Sequence, residues 1–390
     1  MRFSVEAAAL KRAFATLNPV LVRKGFTTIV ENVLLDLSGD TLEITSNDLD
    51  QAARIAVTVT GEEPGKTTVN AMRLKSIADT APEGAQISLF ATDDPADGAD
   101  VRCGRSRFRL ATLPAKDFIL PPPVKGIALE LQPGELAQLL SAAVCTSTEE
   151  TRYYLNGIFL HRKGKQLCAT ATDGHKLAHI PLPLPEGGEE MGDNPHGGEG
   201  YIVPNVAVRH LAAMAGDKAC RISLSETAIE ISVRMGNEDG PLTYRTELVD
   251  GQFPDYARVI PARTHFSGVA IVNTERFRAA LKRCSVALSA VENADPKAAR
   301  RPKEIIALNF ESNVLRLETS GDYGESASEE MDIEWDAPAL RCGFNWRYLD
   351  AIADAVDAER MCFWPDVGGP SRFEPEQEDG RVYVVMPVRL

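Results

Sequence analysis

Three stretches, VLLDLSGDTLEITSND (33–48), IFLHRKGKQLCATATD (158–173) and IALNFESNVLRLETSGD (306–322), repeat one pattern. Each runs from an apolar strand through a polar turn into a second strand and ends on a small polar cluster. They align on Leu42, Leu167 and Leu315, at offsets of 125 and 148 residues. Self-similarity in a fixed order marks a structural unit used more than once, and it is tested before any motif because missing it misreads the whole fold. Downstream of each lies a strand running into a short amphipathic helix: TTVNAMRLKSIAD (67–79), YIVPNVAVRHLAAM (201–214) and RCGFNWRYLDAIADAV (341–356). Asn70, Pro204 and Asn345 stand at the junctions, where Asn offers an N-cap oxygen and Pro a preset backbone angle.

Upstream of each hairpin a second helix is expected, with apolar residues at i, i+3, i+4 and i+7 spacings. The stripes are Leu10, Phe14 and Leu17; then Leu136, Leu139, Leu140, Ala143 and Val144; then Phe277, Ala280, Leu281, Cys284 and Leu288. Each unit closes on strands read from VRCGRSRFRLATLP (101–114), LTYRTELVDGQFPDY (242–256) and RVYVVMPVRL (381–390). The plan is therefore α+β: three similar domains, each with two helices packed on antiparallel sheet. Pro-rich PAKDFILPPPVKG (114–126) and PDYARVIPARTHFSG (254–268) read as connections, which sets the domains at 1–123, 124–261 and 262–390. Three longer loops stand out, 91–100, 185–200 and 292–302; the middle one is Gly- and acid-rich and is expected to be mobile, without a binding role.

The 390 residues are 44% hydrophobic and 25% charged, enough apolar material for several cores and incompatible with wholesale disorder. The formal charge is −14, the reverse of the basic footprint of a protein that coats nucleic acid. No stretch is long and apolar enough to span a bilayer, and charges interrupt MRFSVEAAALKRAF (1–14) where a signal peptide needs an unbroken apolar run, so a cytoplasmic chain is expected. The seven cysteines (103, 145, 168, 220, 284, 342 and 362) are scattered singly and read as reduced, buried residues rather than a disulfide framework or zinc site.

Catalytic motifs are hard to find. GEEPGKTT (61–68) has one residue too few for a phosphate loop and runs into a strand pattern, so a turn is expected. ATDGHK (171–176) sets Asp173 beside His175 and invites a general-base reading. The same position recurs as TSND (45–48) and TSGD (319–322) without histidine, which favours a structural turn. His175 and His179 are the only histidines at i, i+4, and they fall on a strand pattern that argues against a metal site. Two readings remain open at this point: an enzyme using Asp173 and His175 on a phosphorylated substrate near 61–68, and a non-catalytic protein-binding scaffold.

TRYYLNG (151–157), ATDGHKLA (171–178), LVDGQFPDYARVIP (248–261), GRSRF (104–108) and YVVMPVRL (383–390), in this order on a threefold repeat, resemble the bacterial DNA polymerase III β subunit, the sliding-clamp family, over essentially the full chain. The resemblance implies the DNA clamp fold and a head-to-tail homodimer closed into a ring of six domains. Double-stranded DNA would pass through it, helices lining the hole, with no catalytic residue, cofactor, metal or membrane involved. It further implies a pocket for short linear peptides of the replicative DNA polymerase, of clamp-loader subunits and of other DNA-processing proteins. Carried over, one wall of that pocket is Leu155, Thr172, Gly174, His175, Lys176 and Leu177, with Pro254, Arg258 and Val259; the other is Asn345, Tyr348, Val384, Val385, Met386, Pro387, Val388 and Arg389. Lys176 stands where the family commonly has Arg and Val388 where Met is common, so peptide preference is expected to differ. The DNA contacts implied are Lys24, Arg73, Tyr153 and Tyr154. The subunit contact implied sets Arg105, Arg107, Phe108 and Leu110 against Glu325, Glu329 and Glu330 of the other copy, opposite charges fixing register.

The acidic balance divides unevenly. The six expected helices, 5–17, 71–80, 134–146, 205–216, 274–289 and 346–356, carry +1, +1, −1, +1, +3 and −1, a net +4 that leaves −18 for the rest. A mildly basic lining with few phosphate contacts suits a protein that holds duplex loosely.

Overall fold

The computed structural model describes residues 1–25, 27–194, 200–234, 239–288, 304–321 and 324–390. The 292–302 loop, His196 and Asp322 lie outside the described residues.

The three repeated stretches are hairpins. Asn32–Ser38 pairs with Thr41–Asn47, Gly157–Lys163 with Gln166–Thr172, and Ile305–Glu311 with Val314–Ser320. The aligned leucines occupy the same register position, Leu37↔Leu42, Arg162↔Leu167 and Phe310↔Leu315. All three are fully buried. Gly39 and Gly164 begin two of the turns at φ 55° and 58°, and Ser312 and Asn313 make the third at 43° and 67°. A two-residue hairpin turn requires such left-handed backbone.

Six α-helices are formed by the described residues: α1 (Ala7–Leu17), α2 (Ala71–Thr80), α3 (Glu135–Leu140), α4 (Asn205–Ala215), α5 (Thr274–Ser285) and α6 (Trp346–Val356). Asn70 Oδ1 accepts from the Arg73 amide at 3.1 Å and Asn345 Oδ1 from the Arg347 amide at 2.9 Å, so both junction asparagines cap their helices. Pro204 caps α4 without a side-chain bond. Asn273 caps α5 in the same way as the other two, accepting from Arg276 at 3.0 Å, a cap the repeat pattern had not singled out.

The helix expected over 134–146 is corrected: α3 ends at Leu140 and Ser141–Cys145 continues as 3₁₀ helix. The buried residues explain it, for Leu136, Leu139, Ala142 and Cys145 recur every third position, the period of a 3₁₀ turn. The 185–200 loop is also corrected in its described part. Gly188–Glu190 forms a 3₁₀ turn, Met191 is buried, and Glu186 bridges to Glu130. The stretch 61–68 lies on strands Thr60–Glu63 and Gly65–Asn70, a turn between strands as expected.

The chain folds into two compact units. The first comprises Met1–Ala137, Pro185–Met191 and Val203–Asp250. It holds a five-stranded sheet ending on the edge strand Ser106–Leu110, and an eight-stranded sheet. In the latter, Gln51–Thr58 of the first repeat pairs antiparallel with Asp239–Glu247 of the second. Helix α1 packs on α2, and Leu10, Phe14, Leu17, Leu74 and Ile77 of the two helices are buried.

The second unit comprises Gln138–Leu184, Gly192–Ile202 and Gly251–Leu390. Its nine-stranded sheet joins Lys176–Pro183 of the second repeat to Val382–Val385 of the third, and its four-stranded sheet ends on the edge strand Ser326–Asp332. Helix α5 packs on α6. The core is aromatic: Phe363 stacks on Phe373 at 4.1 Å between centroids, and Phe310 meets Phe363 edge-on at 5.4 Å. Six cysteines are buried and Cys362 is half-buried, all as free thiols.

Candidate functional site

The second unit gathers the carried-over pocket residues. Antiparallel pairing sets Lys176 opposite Val385 and Leu177 opposite Val384, and the Met386 amide extends the ladder by donating to the His175 carbonyl at 2.8 Å. Leu155, Leu177 and Val384 are buried at 2–4% exposure, and Val385 is fully buried. Gly174, His175, Pro254, Arg258, Val259, Met386 and Arg389 are exposed, and Thr172, Pro387 and Val388 half-buried. Val259 and Met386, at 47% and 39%, are large apolar side chains facing water. Val388 returns the tail onto strand Leu340–Asn345 of the four-stranded sheet, its amide donating to the Gly343 carbonyl at 2.8 Å. A Cβ at Gly343 would stand 2.8 Å from the Val388 oxygen, so only glycine admits the tail there.

Asp173 and His175 do not form a catalytic pair. Asp173 Oδ1 accepts from the amides of His175 and Lys176 at 2.8 and 2.9 Å, closing an Asx turn. Asp48 does the same for Asp50 and Gln51 at 3.1 and 2.7 Å in the first repeat. Lys176 is the pin of this corner. Its Nζ donates to the Val144 carbonyl at 2.6 Å, closing the 3₁₀ end of Ser141–Cys145, and pairs with Asp173 Oδ2 at 2.9 Å. It also lies 5.5 Å from the centre of the Tyr348 ring, which stacks on His175 at 6.2 Å. Burial, and then the Asp173 charge, push the Tyr348 hydroxyl pKa up. Asn345 places Tyr348 by capping α6, and its Nδ2 donates to Glu304 at 2.8 Å.

Sequence reasoning missed what holds the Arg258 and Val259 turn. Tyr256, at the start of that turn, is buried and its hydroxyl shares a hydrogen bond with His161 Nε2 at 2.8 Å. His179 Nδ1 shares one with the Thr170 hydroxyl at 2.9 Å, and Phe253 stacks on Phe159 at 4.8 Å. His161, Cys168 and His179, residues of metal-ligand type, have donor atoms within 4.8 Å of one another. His179 thus meets His161, not His175, which lies exposed in the turn. Burial drives the His161 pKa down to about 4 and that of His179 to about 3, and pushes the Cys168 thiol up to about 12. With one nitrogen of each histidine engaged by a hydroxyl and the thiol protonated, the group is a polar plug under the turn. Further along, Arg263 pairs with buried Glu374 and with Glu378, and Arg372 Nη1 donates to the Pro261 carbonyl at 2.6 Å.

Of the other expected residues, Lys24 and Arg73 are exposed in the first unit, Arg73 in the first turn of α2. Tyr153, at 54% exposure, and half-buried Tyr154 lie in the second unit, their rings edge-to-face at 5.8 Å. Arg105 sits in the turn before edge strand Ser106–Leu110, on which Arg107 and Phe108 are exposed and Leu110 is buried. Glu329 and Glu330 lie on edge strand Ser326–Asp332 and are already paired within the chain, with Arg283 and Arg316. Glu325 immediately precedes that strand.

A hairpin and helix unit used three times, with Asp173 spent on the backbone amides of its turn rather than on His175, fits a protein of the clamp class, which holds partners rather than converting them. Family descriptions match in two places: DNA polymerase III beta subunit, N-terminal domain, over residues 1–121, and central domain, over 130–255. The beta sliding clamp of Caulobacter vibrioides is 31% identical over 402 aligned residues, and that of Escherichia coli K12 29% over 411, both chains fully covered in each case. Among solved structures, the DnaN sliding clamps of Bartonella birtlesii and Pseudomonas aeruginosa, each bound to griselimycin, superpose with TM-scores of 0.85 and 0.87 at 30% and 28% identity over all of both chains. The chain belongs to the DNA polymerase III beta subunit family, the beta sliding clamps. It is a processivity factor of DNA polymerase III and has no catalytic chemistry of its own.

Proposed function

We propose that two copies of this chain close head to tail into a ring around double-stranded DNA, built from clamp domains 1–123, 124–261 and 262–390. One observation carries the proposal. Twice within the chain, the strand after a repeat's hairpin pairs with the closing strand of the next repeat: Gln51–Thr58 with Asp239–Glu247, and Lys176–Pro183 with Val382–Val385. The third repeat's equivalent, Ser326–Asp332, and the first repeat's closing strand, Ser106–Leu110, are both sheet edges. Pairing them between copies repeats the same joint, turns five and four strands into nine, and covers two edges that would otherwise template aggregation. Arg105, Arg107, Phe108 and Leu110 would then meet Glu325, Glu329 and Glu330, and Arg283 and Arg316, the present partners of Glu329 and Glu330, would share those two.

A ring linked around duplex retains it by topology, so a polymerase tethered to it stays at high effective concentration. The tether is the apolar patch: a short linear peptide of the polymerase or of a clamp-loader subunit lays apolar anchors over Leu155, Leu177 and Val384, between Val259 and Met386, with His175, Arg258 and Arg389 at the rim. Lys24, Arg73, Tyr153 and Tyr154 touch the duplex. The place of action is the cytoplasm, where no membrane is involved; no helix among the described residues is long and apolar enough to cross one.

Sedimentation on nicked circular DNA with a loading ATPase tests the ring. Retention is expected, with loss on linearisation; a monomer at micromolar concentration, or equal retention on linear DNA, defeats it. Removing residues 386–390 should abolish binding of a polymerase-derived peptide while the dimer persists, and unchanged peptide affinity refutes the patch.

A further inference from the structure

Helix α5 is the most basic of the six, with Arg276, Arg278, Lys282 and Arg283. Its charge is partly cancelled from α6. Arg278 Nε lies 3.1 Å from Asp350 Oδ1, Arg278 Nη1 pairs with Asp354, and Lys282 Nζ stands 3.9 Å from Asp350. Asp350 and Asp354 are one helical turn apart and so address α5 from one face. The groove between the helices, about 870 Å3, is lined by both signs, Arg278 and Lys282 with Asp354, Asp357 and Glu359. The stability of α6 itself does not account for Asp354. Asp354 lies in the last turn of α6, where the exposed carbonyls disfavour a negative charge, and that turn has no basic residue.

We propose that Asp350 and Asp354 are internal competitors for the DNA backbone. They occupy Arg278 and Lys282 and thereby set how weakly this helix pair holds duplex. The proposal rests on the reading that the helices line the ring. The pairs are partly solvated, with side-chain exposures of 28% for Arg278, 22% for Asp350, 65% for Asp354 and 56% for Lys282. Such pairs are weak and exchangeable. A passing phosphate can displace an aspartate, and the aspartate recaptures the cation as the duplex moves on. Binding is thereby kept shallow at each step, as sliding requires.

The test is equilibrium binding of the full-length protein to a short duplex between 50 and 200 mM salt, comparing wild type with Asp350→Asn/Asp354→Asn. Each cation freed for a phosphate steepens the plot of log affinity against log salt by about 0.9. The double variant should be steeper by up to about 1.8, and its advantage at low salt should shrink about tenfold across that range. Glu62→Gln/Glu63→Gln adds the same charge on strand Thr60–Glu63, where both acids face Arg2, and should leave the slope unchanged. Arg278→Gln alone should change affinity less than Arg276→Gln, because its guanidinium is already occupied. An unchanged slope in the aspartate variant, equal steepening in both double variants, or an Arg278→Gln loss matching that of Arg276→Gln overturns the proposal. Circular dichroism melting confirms that each variant is folded. Wild type that fails to stay on circular DNA overturns the ring reading itself, whereas retained wild type with an unchanged slope overturns only the role of the two aspartates.

Discussion

Acidification from pH 7 to pH 5 should destabilise the second unit preferentially, and the size of the effect follows from two side chains. His161 and His179 are buried beneath the Tyr256 turn and held neutral, with pKa values of about 4 and about 3 against 6.5 for an unperturbed histidine. Between pH 6.5 and those values the unfolded chain binds protons that the folded chain refuses, so stability rises with pH across that window and falls as the pH drops through it. Both native values lie below pH 5, so the loss from pH 7 to 5 is set by the unfolded histidine alone: about 2 kcal/mol for each, about 4 kcal/mol together. Trp335, Trp346 and Trp364 are the chain's three tryptophans and all lie in the second unit, so their fluorescence during urea unfolding follows that unit. The midpoint should drop steeply from pH 7 to 5 in wild type and much less in His161→Gln/His179→Gln, which keeps polar groups at both positions but cannot titrate. A wild-type change below about 1 kcal/mol, or an equal change in the double variant, would refute the burial argument.

Other perturbations probe the corner and the edges. Lys176→Met strips the Val144 carbonyl of its donor while Asp173 keeps two backbone amides, so the second unit should lose about 2 kcal/mol by tryptophan-followed unfolding. Peptide affinity should fall with it, since Lys176 underlies Tyr348. Asn345→Ala removes the α6 cap at a cost of about 1 kcal/mol and should weaken the same peptide in a fluorescence polarisation titration. Phe108→Asp puts a charge on the exposed face of strand Ser106–Leu110 and should shift sedimentation from dimer to monomer without moving the tryptophan-followed midpoint.

Legibility in the sequence followed how local each constraint is. Leu42, Leu167 and Leu315 could be aligned because a two-residue turn fixes the register of a hairpin and the apolar pattern marks its faces. Asn70 and Asn345 were legible as caps for the same reason. The helix at 134–146 misled because an apolar stripe with i+3 and i+4 members serves α-helix and 3₁₀ helix alike until burial picks out Leu136, Leu139, Ala142 and Cys145. The plug of His161, Cys168 and His179 went unseen although its first half was within reach: the turn at Gly164 dictates His161 opposite Cys168. The second half, Thr170 opposite His179, needs the Asx turn at Asp173 to be placed first. Pairing of Lys176–Pro183 with Val382–Val385 spans some two hundred residues and leaves no local trace. Only the repeat, through the equivalent pairing of Gln51–Thr58 with Asp239–Glu247, makes it foreseeable.

The acidic balance takes on a definite meaning in this frame. A chain of net charge −14 cannot hold DNA by charge at long range, and the six stretches expected as helices carry only +4 against it. The cations of α5 are moreover met within the protein, Arg278 and Lys282 by Asp350 and Asp354 of α6 and Arg283 by Glu329. A protein making six to ten full phosphate contacts would gain several orders of magnitude in affinity at low salt, and each step along the duplex would have to break them. A ring has no need of such contacts, because closure and not affinity prevents escape. The charge that argues against a DNA-coating protein is therefore the charge to be expected of one that must let DNA move.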